Sequence, residues 1–472
     1  MPRARPAASI AHVPNVNLEQ PVLRAVAAFL DAVRDDGLPP AVARQGGRLT
    51  LDTVGCMIAG ATASPSVPMV ETFGRWAGAG RCDIIGTDLR TSPLDAAFVN
   101  AYTADVLDFE ETLVSHPSAV VLSAGLAVGQ DIGASGDQVI TAVMVGYEVG
   151  SRLGSAMMPS PELTREVAAE FWWKSVAAAI TAGMLLGTRG EAWADTIGYA
   201  ASATPAARRG GFEFRPMSHL KANYQGQAHT GVVAAYLSSA GFRTYRGMLD
   251  GERTFAQLLG SDRWRPELLL DGLGESWVAE RIGFKIYPTC LYLHPLLECI
   301  TQVRADPRYR ADRIRRVRAS VPALIHDELG ERRPVNVIDA QFSAPFTAAN
   351  LLLSDELGPD WLDDERIRDS ATLELAGRIE VAEHAPFTAQ HQADRRIRSA
   401  ILVELDDGTE LTAEVGTIRG HADRPLTDEE LADKFVLCAA GRLAPAAARE
   451  AAAGLLQIAD AAQVDDVVAL VR

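Results

Sequence analysis

The sequence predicts a mainly α protein, in which a large all-helical bundle domain carries an inserted, smaller α+β lid domain. Three observations predict this fold class. From about Gln20 to about Arg281, apolar residues recur at helical spacing in segments rich in Ala and Gly. After Lys285 the apolar residues alternate as in strands, with frequent prolines and charges between the runs. At Thr427 the helical pattern resumes, so the simplest topology returns the chain to the bundle.

The composition agrees with a large globular protein of more than one domain. A chain of 472 residues with 48% hydrophobic residues buries a large core and suggests two or three domains. The predicted units are a mobile N-terminal arm at 1–18, the first part of the helical domain at 19–282, the lid at 283–418 and the second part of the helical domain at 419–472.

The charge and the cysteines exclude several function classes. A net charge of −16 argues against nucleic acid as a partner, because phosphate binding needs a basic face. An anionic substrate then requires a local cluster of basic side chains. The five cysteines contain no C-x-x-C pair, which predicts free thiols in a reducing cytoplasm and no metal site. No apolar stretch is long enough to span a bilayer and no secretion signal is recognisable, so no membrane partner is expected.

The bundle contains one helix with an unusual face. Ser135 and Gln138 form a capping-box pattern at its start. Gly146, Gly150 and Gly154 follow at every fourth position and make a smooth stripe. Each glycine costs up to ~1 kcal/mol of helix propensity relative to Ala. We expect close helix–helix contact to compensate, with backbone approach to a ligand as the alternative.

The lid contains the strand signals. Residues 315–321 alternate, and residues 397–405 and 409–415 alternate on either side of Asp407-Gly408. Two alternating runs joined by a two-residue turn of this type predict a β-hairpin. Thr427 with Glu430 is a second capping-box pattern, which marks the start of the returning helices.

The segment from Asp108 to Ser118 is the strongest candidate site. It packs three carboxylates, three hydroxyls and an imidazole into eleven positions between two segments that read as buried helix. Buried charge costs several kcal/mol unless it is paired or used, so this is either a capping network or an active site. Asp108 and Thr112 share a face if the segment is helical. His116, held in an extended or turn conformation by Pro117, suits a general acid or base, or else caps or fills a turn.

Two lysines are candidates for holding a carboxylate. Lys221 precedes a helix start near Gly226, where first-turn amides assist anion binding, although a solvated loop lysine is the alternative. Lys285 stands in an apolar segment at the predicted domain boundary, where pockets are common.

Three further side chains are candidates for lining the pocket. Cys290 and His294 lie close to Lys285 in the sequence, and ordinary core packing is their alternative. Ser343 lies among aromatic residues and is either polar lining or lid packing. No Gly-rich phosphate loop and no G-x-S-x-G elbow is present in the sequence.

Taken in order and spacing, these segments resemble the MmgE/PrpD family, which includes 2-methylcitrate dehydratase, cis-aconitate decarboxylase and iminodisuccinate epimerase. The resemblance covers nearly the whole chain and is carried by residues 51–56, 107–112, 116–118, 133–136, 146–148, 221–228, 285–294, 339–345 and 425–435. It implies a helical bundle plus an α+β lid, a homodimer and no cofactor.

The resemblance also implies a set of active-site residues. These fall on Asp108, Thr112, His116, Lys221 and Lys285, with Cys290 at a further lining position. The chain departs from the family pattern at Glu110-Glu111, where Asp-Asp is usual, and in a shorter loop to His116. Two usual histidines are also missing: Tyr224 stands at one position, and the segment 170–174 has none. With Tyr224, the predicted substrate-binding side chains are Cys290, His294 and Ser343.

The predicted function is that of a cofactor-independent dehydratase. Its substrate would be a small anionic carboxylate, a hydroxylated di- or tricarboxylate of the 2-methylcitrate type or a related biosynthetic intermediate. Lys221 and Lys285 would bind carboxylates and stabilise enolate-like charge, Asp108 and His116 would exchange protons with the substrate, and Thr112 would orient one of them.

Three alternatives to the dehydratase are open. The first is a decarboxylase of a cis-aconitate-like acid, and the second is an isomerase or epimerase. The third is a repurposed or non-catalytic member acting on a larger natural-product substrate, which Trp172 and Trp173 favour.

Overall fold

The computed structural model describes residues 20–472 except residues 79, 113–115, 161, 164–171, 206–214, 218–220, 222–223, 252 and 355–356. The predicted arm at 1–18 lies outside the described residues. Of the described residues, 59% are helical and 8% are in strands, which confirms the mainly α prediction.

Prolines and capping side chains start many of the helices before residue 283. Pro21, Pro40, Pro93 and Pro117 each stand at a first helical position, where the fixed φ of proline suits the helix and no N–H is missed. The described helices here are α1 (Pro21–Asp36), α2 (Pro40–Thr62), α3 (Val67–Gly74), α4 (Pro93–Asp105), α5 (Pro117–Ile132), α6 (Gly136–Met157), α7 (Lys174–Leu185), α8 (Ala192–Ser202), α9 (Tyr224–Ser239), α10 (Phe255–Leu258) and α11 (Pro266–Leu270). A short hairpin of β1 (Cys82–Asp83) and β2 (Arg90–Thr91) precedes α4.

The glycine stripe of α6 is a packing surface, as predicted. The Ser135–Gln138 capping box forms at its start. A Cβ on Gly150 would lie 2.6 Å from the ring of Trp173, and a Cβ on Gly154 would lie 2.4 Å from its Nε1. Trp173 is fully buried against this face. The glycines therefore make room for a large aromatic side chain.

We expect Gly150→Ala to destabilise the protein by about 1–3 kcal/mol, because the added methyl group overlaps Trp173 and α7 and overpacks the core. Urea unfolding, followed by circular dichroism, measures the change. Gly377→Ala is the matched control, since Gly377 lies in a helix with open space around it and the substitution should be neutral or stabilising. Equal midpoints for the two variants would contradict the packing role of the stripe.

The part of the chain from residue 287 to 418 contains a four-stranded sheet of order β4-β3-β5-β6. Its strands are β3 (Ile314–Val321), β4 (Ile379–Glu383), β5 (Ser399–Leu405) and β6 (Glu410–Val415). β3 pairs parallel with β4 and antiparallel with β5. The predicted hairpin is confirmed as β5–β6, with Gly408 in the left-handed region of its turn at φ 84°. The helices here are α12 (His294–Arg304), α13 (Ala323–Glu328), α14 (Val337–Gln341), α15 (Ala344–Leu353), α16 (Ser370–Arg378) and α17 (Ala385–Asp394).

Helical structure resumes as predicted after Thr427, whose capping box with Glu430 is formed. The closing helices are α18 (Asp428–Ala439), α19 (Pro445–Leu456) and α20 (Val464–Val468). Short 3₁₀ segments occur at Val278–Arg281, Leu291–Leu293, Ala311–Arg313, Pro359–Leu362, Arg366–Arg368, Ile458–Asp460 and Ala469–Val471.

The buried apolar side chains form two main cores. The first extends over residues 22–284 and 426–471, and the second over residues 287–418 together with Met217. The inserted-lid arrangement and the bounds of the four predicted units stay predictions. All five cysteines are free and buried, as predicted.

In the described part of the chain, no single helix combines the length and apolarity needed to cross a bilayer. One pair, Pro40–Thr62 with Val67–Gly74, would reach that length only across an 87° bend.

Candidate active site

The candidate site lies where α4 ends and α5 begins. The segment from Val106 to His116, of which residues 113–115 lie outside the described part, is called the site loop. It is held against the crossing between the two cores. Thr112 N donates to Gly283 O at 2.9 Å, Lys285 N donates to Glu110 O at 3.4 Å, and Glu111 forms an isolated antiparallel bridge with Phe284. This pairing brings Lys285 against Asp108, which is 177 positions earlier in the chain.

The two chain crossings between the cores also lie side by side. Phe284 N donates to Gly420 O at 2.7 Å. A Cβ on Gly283 would lie 2.3 Å from Gly420 O and 2.5 Å from Thr112 Oγ1. Only glycine allows this approach, so the site loop, the outgoing crossing and the returning crossing form one packed unit.

Asp108 receives two buried lysines. Lys285 Nζ lies 2.7 Å from Asp108 Oδ1, and Lys221 Nζ lies 3.2 Å from the same oxygen and 3.0 Å from Asp105 Oδ1. Burial opposes ionisation of Asp108, but the two ammonium groups outweigh it and hold the pKa of this carboxyl far below its usual value. The lysines expected to bind substrate carboxylates thus already hold two carboxylates of the protein.

His116 lies against the same cluster. Its Nε2 is 3.4 Å from Asp108 Oδ1, and its Nδ1 is 2.7 Å from Glu110 Oε1. Burial and the nearby Lys285 lower the pKa of His116 to about 3, so the imidazole is neutral at pH 7. A neutral imidazole offers one N–H donor and one acceptor.

The backbone of the site loop is strained at two predicted site residues. Asp108 has φ 53° and His116 has φ 60°, and in the described part of the chain Arg395 is the one other non-glycine residue with positive φ. Such a conformation costs of order 1–3 kcal/mol and is concentrated at functional sites. The shared helical face expected for Asp108 and Thr112 is wrong, because α4 ends at Asp105 and the chain turns through a left-handed residue.

Sequence reasoning missed one carboxyl group of the site, Asp105, and gave no role to Glu110, which it counted in the candidate segment. Both are fully buried. Burial raises the pKa of Asp105 to about 7 against the opposing effect of Lys221. Burial and the neighbouring Glu110 raise the pKa of Glu111 to about 8, although Ser118 N donates to Glu111 Oε1 at 2.8 Å. The signal available in the sequence was a further aspartate one turn before Asp108, at the end of an apolar helix.

Ligand atoms of Asp105, Asp108, Glu110 and His116 lie within 4.8 Å of one another. Oxygen and imidazole ligands of this kind suit a divalent cation. Lys221 and Lys285 occupy the Asp108 oxygen that such a cation would use, so two ammonium groups compete with it directly.

Of the other predicted lining residues, Cys290 and His294 lie close enough to the cluster for the charges of Asp108 and Lys285 to act on their pKa values, whereas Ser343 caps a helix of the second core. Burial raises the pKa of Cys290 to about 12, so its thiol is protonated. His294 is buried, with Nε2 3.3 Å from Thr289 O, and burial lowers its pKa to about 3. Ser343 accepts from Phe346 N at 3.1 Å and donates to Glu331 O. These are the contacts of an N-cap of α15 within the second core, which agree with the packing alternative for Ser343.

Tyr224 does lie beside the site, with its ring 6.2 Å from that of His116. Behind it is a residue that sequence reasoning did not select, Lys174. This lysine is fully buried, with Nζ 4.3 Å from the centre of the Tyr224 ring and 5.1 Å from that of Trp173.

The lysine content of the chain is the signal that sequence reasoning overlooked. The chain has 45 lysine and arginine residues in total, of which four are lysines: Lys174, Lys221, Lys285 and Lys434. None is more than 8% exposed. Lys434 donates to Asp52 Oδ1 at 2.6 Å and to Phe109 O at 2.5 Å, so it anchors the site loop from below. Every lysine of this chain therefore lies in or beside the site, and arginine supplies the rest of its positive charge.

A cleft of about 1430 Å³ lies behind Leu107. It is bordered by the end of α2, by residues 357–370 and by Leu437. None of the predicted site residues lines it.

The fold and the site define a mainly helical protein with two cores and a buried group of lysines, carboxylates and a histidine in mutual contact. The chain belongs to the MmgE/PrpD family, as predicted. Residues 24–267 match the MmgE/PrpD N-terminal domain, and residues 287–457 match the MmgE/PrpD C-terminal domain. The second match extends past the predicted lid boundary at 418.

Three curated relatives show where in the family the similarity falls. The chain is 24% identical to a cis-aconitate decarboxylase-like protein, oryM, of Aspergillus oryzae, over 94% of this chain and 95% of the relative. It is 24% identical to a cis-aconitate decarboxylase of Aspergillus terreus, over 89% of each chain. It is also 24% identical to the cis-aconitate decarboxylase of Homo sapiens, over 74% of this chain and 73% of the relative.

Proposed function

We propose that this protein is a cofactor-independent lyase that decarboxylates a di- or tricarboxylic acid of the cis-aconitate type. One observation carries the proposal: two buried lysines meet at Asp108, with a neutral histidine beside them. The names of the curated relatives support the same reaction. The homodimer and the cytoplasmic location stay predictions.

Decarboxylation needs a cationic environment and a proton donor. The bond between a substrate carbon and its carboxylate breaks, the electron pair stays on that carbon, carbon dioxide leaves, and a proton completes a new C–H bond. Ammonium groups in a water-poor site stabilise the charge that develops in the transition state. Lys285 and Lys221 would fill this role, and the N–H of His116 would donate the proton.

Dehydration, the reaction that the sequence analysis places first, is the second candidate. It requires a base that removes a proton next to a carboxylate. Asp108 is a weak base because both lysines stabilise its anion, and His116 is a weak base because burial disfavours its cation. Isomerisation or epimerisation through proton removal meets the same difficulty. Dehydration is nevertheless favoured over a purely structural role, because acidic and basic side chains lie next to each other in the site.

Of the two residues that favour a larger natural-product substrate, Trp172 and Trp173, the second has a packing role. Trp173 packs onto the glycine stripe of α6 and lines the core, so it is not available to hold a substrate.

We expect the purified protein to release carbon dioxide from cis-aconitate in a panel that also contains citrate, isocitrate and 2-methylcitrate. In D₂O the product should carry one solvent-derived deuterium on carbon, because the carbanion takes its proton from the protein. Mass spectrometry detects the lost carbon dioxide and the deuterium together. His116→Gln should lower turnover by about 10²–10⁴-fold.

The exposed His326 offers a matched control, and His326→Gln should retain wild-type turnover. Loss of water without carbon dioxide would assign the protein to the dehydratases. A folded protein that converts none of the acids would overturn the proposal.

A further inference from the structure

Asp105 and the site loop together bury four carboxylates, and the two lysines in contact with them balance only two of these charges. Asp105, Asp108, Glu110 and Glu111 are each at most 1% exposed. Among the described residues, the cations in contact with this group are Lys221 and Lys285, and both are directed at Asp108. A buried carboxylate without a cation partner takes up a proton in preference to staying ionised. Within the described part of the chain, four carboxylates face two ammonium groups, so neutrality of this group requires two bound protons.

The contacts indicate where these protons reside. Asp108 accepts both lysines and stays ionised. An ionised Glu111 accepts hydrogen bonds from the Ser118 hydroxyl and from Ser118 N. A protonated Glu111 keeps both contacts, because its O–H can donate to Ser118 Oγ. The remaining negative charge lies on Asp105 and Glu110, which have carboxyl oxygens within 4.8 Å of each other. No hydrogen bond is formed by Asp105 Oδ2 or by either Glu110 oxygen within the described part of the chain.

The contact between Glu110 and His116 also needs a proton. Glu110 Oε1 lies 2.7 Å from His116 Nδ1, a distance in the range of a hydrogen bond, although neither atom is hydrogen-bonded in this geometry. If Nδ1 carries no hydrogen, two lone pairs face each other unless the carboxyl group is protonated. A divalent cation would be the other way to neutralise the group, but the ammonium groups of Lys221 and Lys285 already occupy the shared Asp108 oxygen.

We propose that Asp105 and Glu110 share one proton at neutral pH, and that His116 passes this proton to the carbanion. The relay half of this inference rests on the proposed decarboxylation, whereas the shared proton does not. In the relay, Glu110 gives its proton to Nδ1 of His116 while Nε2–H is donated to the substrate carbon. One proton enters the imidazole and one leaves it, so His116 never becomes a cation. Asp105 and Glu110 are thus positioning residues that act through His116.

The groups that face the pair determine how it titrates. Asp105 faces Lys221, His116 and, one turn earlier in α4, Tyr102. Glu110 faces Glu111 within the loop, Asp52 of α2 and Tyr224 of α9. The raised pKa of Asp105, about 7, agrees with a proton held until neutral pH. A carboxyl whose pKa is raised on folding stabilises the protein below its unfolded pKa, and this stabilisation is lost as the pH rises from about 4 to about 7.

Infrared difference spectroscopy of the substrate-free protein tests the shared proton. Because Glu111 also holds a proton, with a pKa of about 8, all infrared samples carry Glu111→Gln, which removes its band. In this background the protein should show a protonated carboxyl band at pH 6 that titrates away between pH 6 and pH 9, and Glu110→Gln should remove this titrating band. Asp105→Asn serves as a second variant if Glu110→Gln fails to fold. Glu148→Gln is the matched control, because Glu148 is equally buried but is paired with Arg152, and this variant should keep the band.

Several outcomes would overturn the shared proton. One is a band that survives in both Glu110→Gln and Asp105→Asn. Another is tight binding of Mg²⁺ or Mn²⁺ by the wild-type protein that Glu110→Gln abolishes, since a cation would then stand in the place of the proton.

Kinetics tests the relay separately. The wild-type kcat should fall above about pH 7, and Glu110→Gln should lower kcat by about 10–10³-fold with little change in KM, and should remove this fall. A variant that loses the band but keeps the wild-type kcat overturns the relay and leaves the shared proton standing. A protein that shows the band and decarboxylates no acid overturns the proposed function instead.

Discussion

Lys285→Met is expected to lower decarboxylase turnover by about 10²–10³-fold, the loss typical of removing one preorganised donor to a developing negative charge. Methionine keeps the length and the apolar stem of the side chain, so the packing of this fully buried residue is largely retained. What is lost is the ammonium group 2.7 Å from Asp108 Oδ1. Steady-state kinetics on the acid identified as substrate measures the change.

The expected loss of turnover is large because no other described cation is free to replace Lys285. Lys221 is shared between Asp105 and Asp108, so it cannot replace Lys285 without releasing Asp105. The pKa of Asp108 should also rise in the variant, because one of the two groups that hold it down is gone. Lys285→Arg is the informative companion, since it restores charge but not the shape of an ammonium group. Wild-type turnover in Lys285→Met would remove this lysine from the chemistry.

Lys434→Met should cost about 3–5 kcal/mol of stability, the effect of removing one partner from a buried ion pair. Lys434 is 8% exposed and holds Asp52, which is 2% exposed and lies beneath the site loop. Its loss leaves Asp52 without a cation partner in the core, so the protein bears the cost of a buried charge or of protonating this carboxylate, and it frees the carbonyl group of Phe109. We therefore expect the midpoint of urea unfolding to fall and turnover to fall with it.

Two controls separate the buried pair from a general charge effect. Arg449→Met removes a pair with Asp433 in which both side chains are at least half exposed, so it should change stability by 0–1 kcal/mol. The double variant Asp52→Asn/Lys434→Met should recover most of the loss, because no unpaired charge remains. If Lys434→Met unfolds at the wild-type midpoint, the anchoring role of this lysine is wrong.

The parts of the fold that sequence predicted are those set by neighbours in the chain. Capping boxes at Ser135 and Thr427, the hairpin turn at Gly408 and the glycine stripe of α6 all depend on residues a few positions apart. The partner of the stripe could not be read in this way. Trp173 reaches α6 through tertiary packing, and from sequence its indole suggested a ligand as readily as a core.

The sequence predicted most of the residues of the site but not how they are arranged in space. Asp108, His116, Lys221 and Lys285 do converge, but the convergence depends on backbone pairing between the site loop and Phe284, over more than 170 positions. Asp105 was missed because a lone aspartate in a helix reads as an ordinary surface or capping residue. Its full burial, which makes it important, is a property of the tertiary structure.

The placement of the lysines has a practical consequence for amine chemistry. Because none of the four is more than 8% exposed, an acylating reagent finds almost no reactive side-chain amine on the surface of the folded protein. Whatever modification does occur at lysine must report transient exposure of the residues around Asp108. Peptide mapping after timed acylation would then measure how often each of the four lysines becomes exposed, without an introduced label. If substrate slows the acylation of these lysines, the degree of slowing reports how much of the site is occupied.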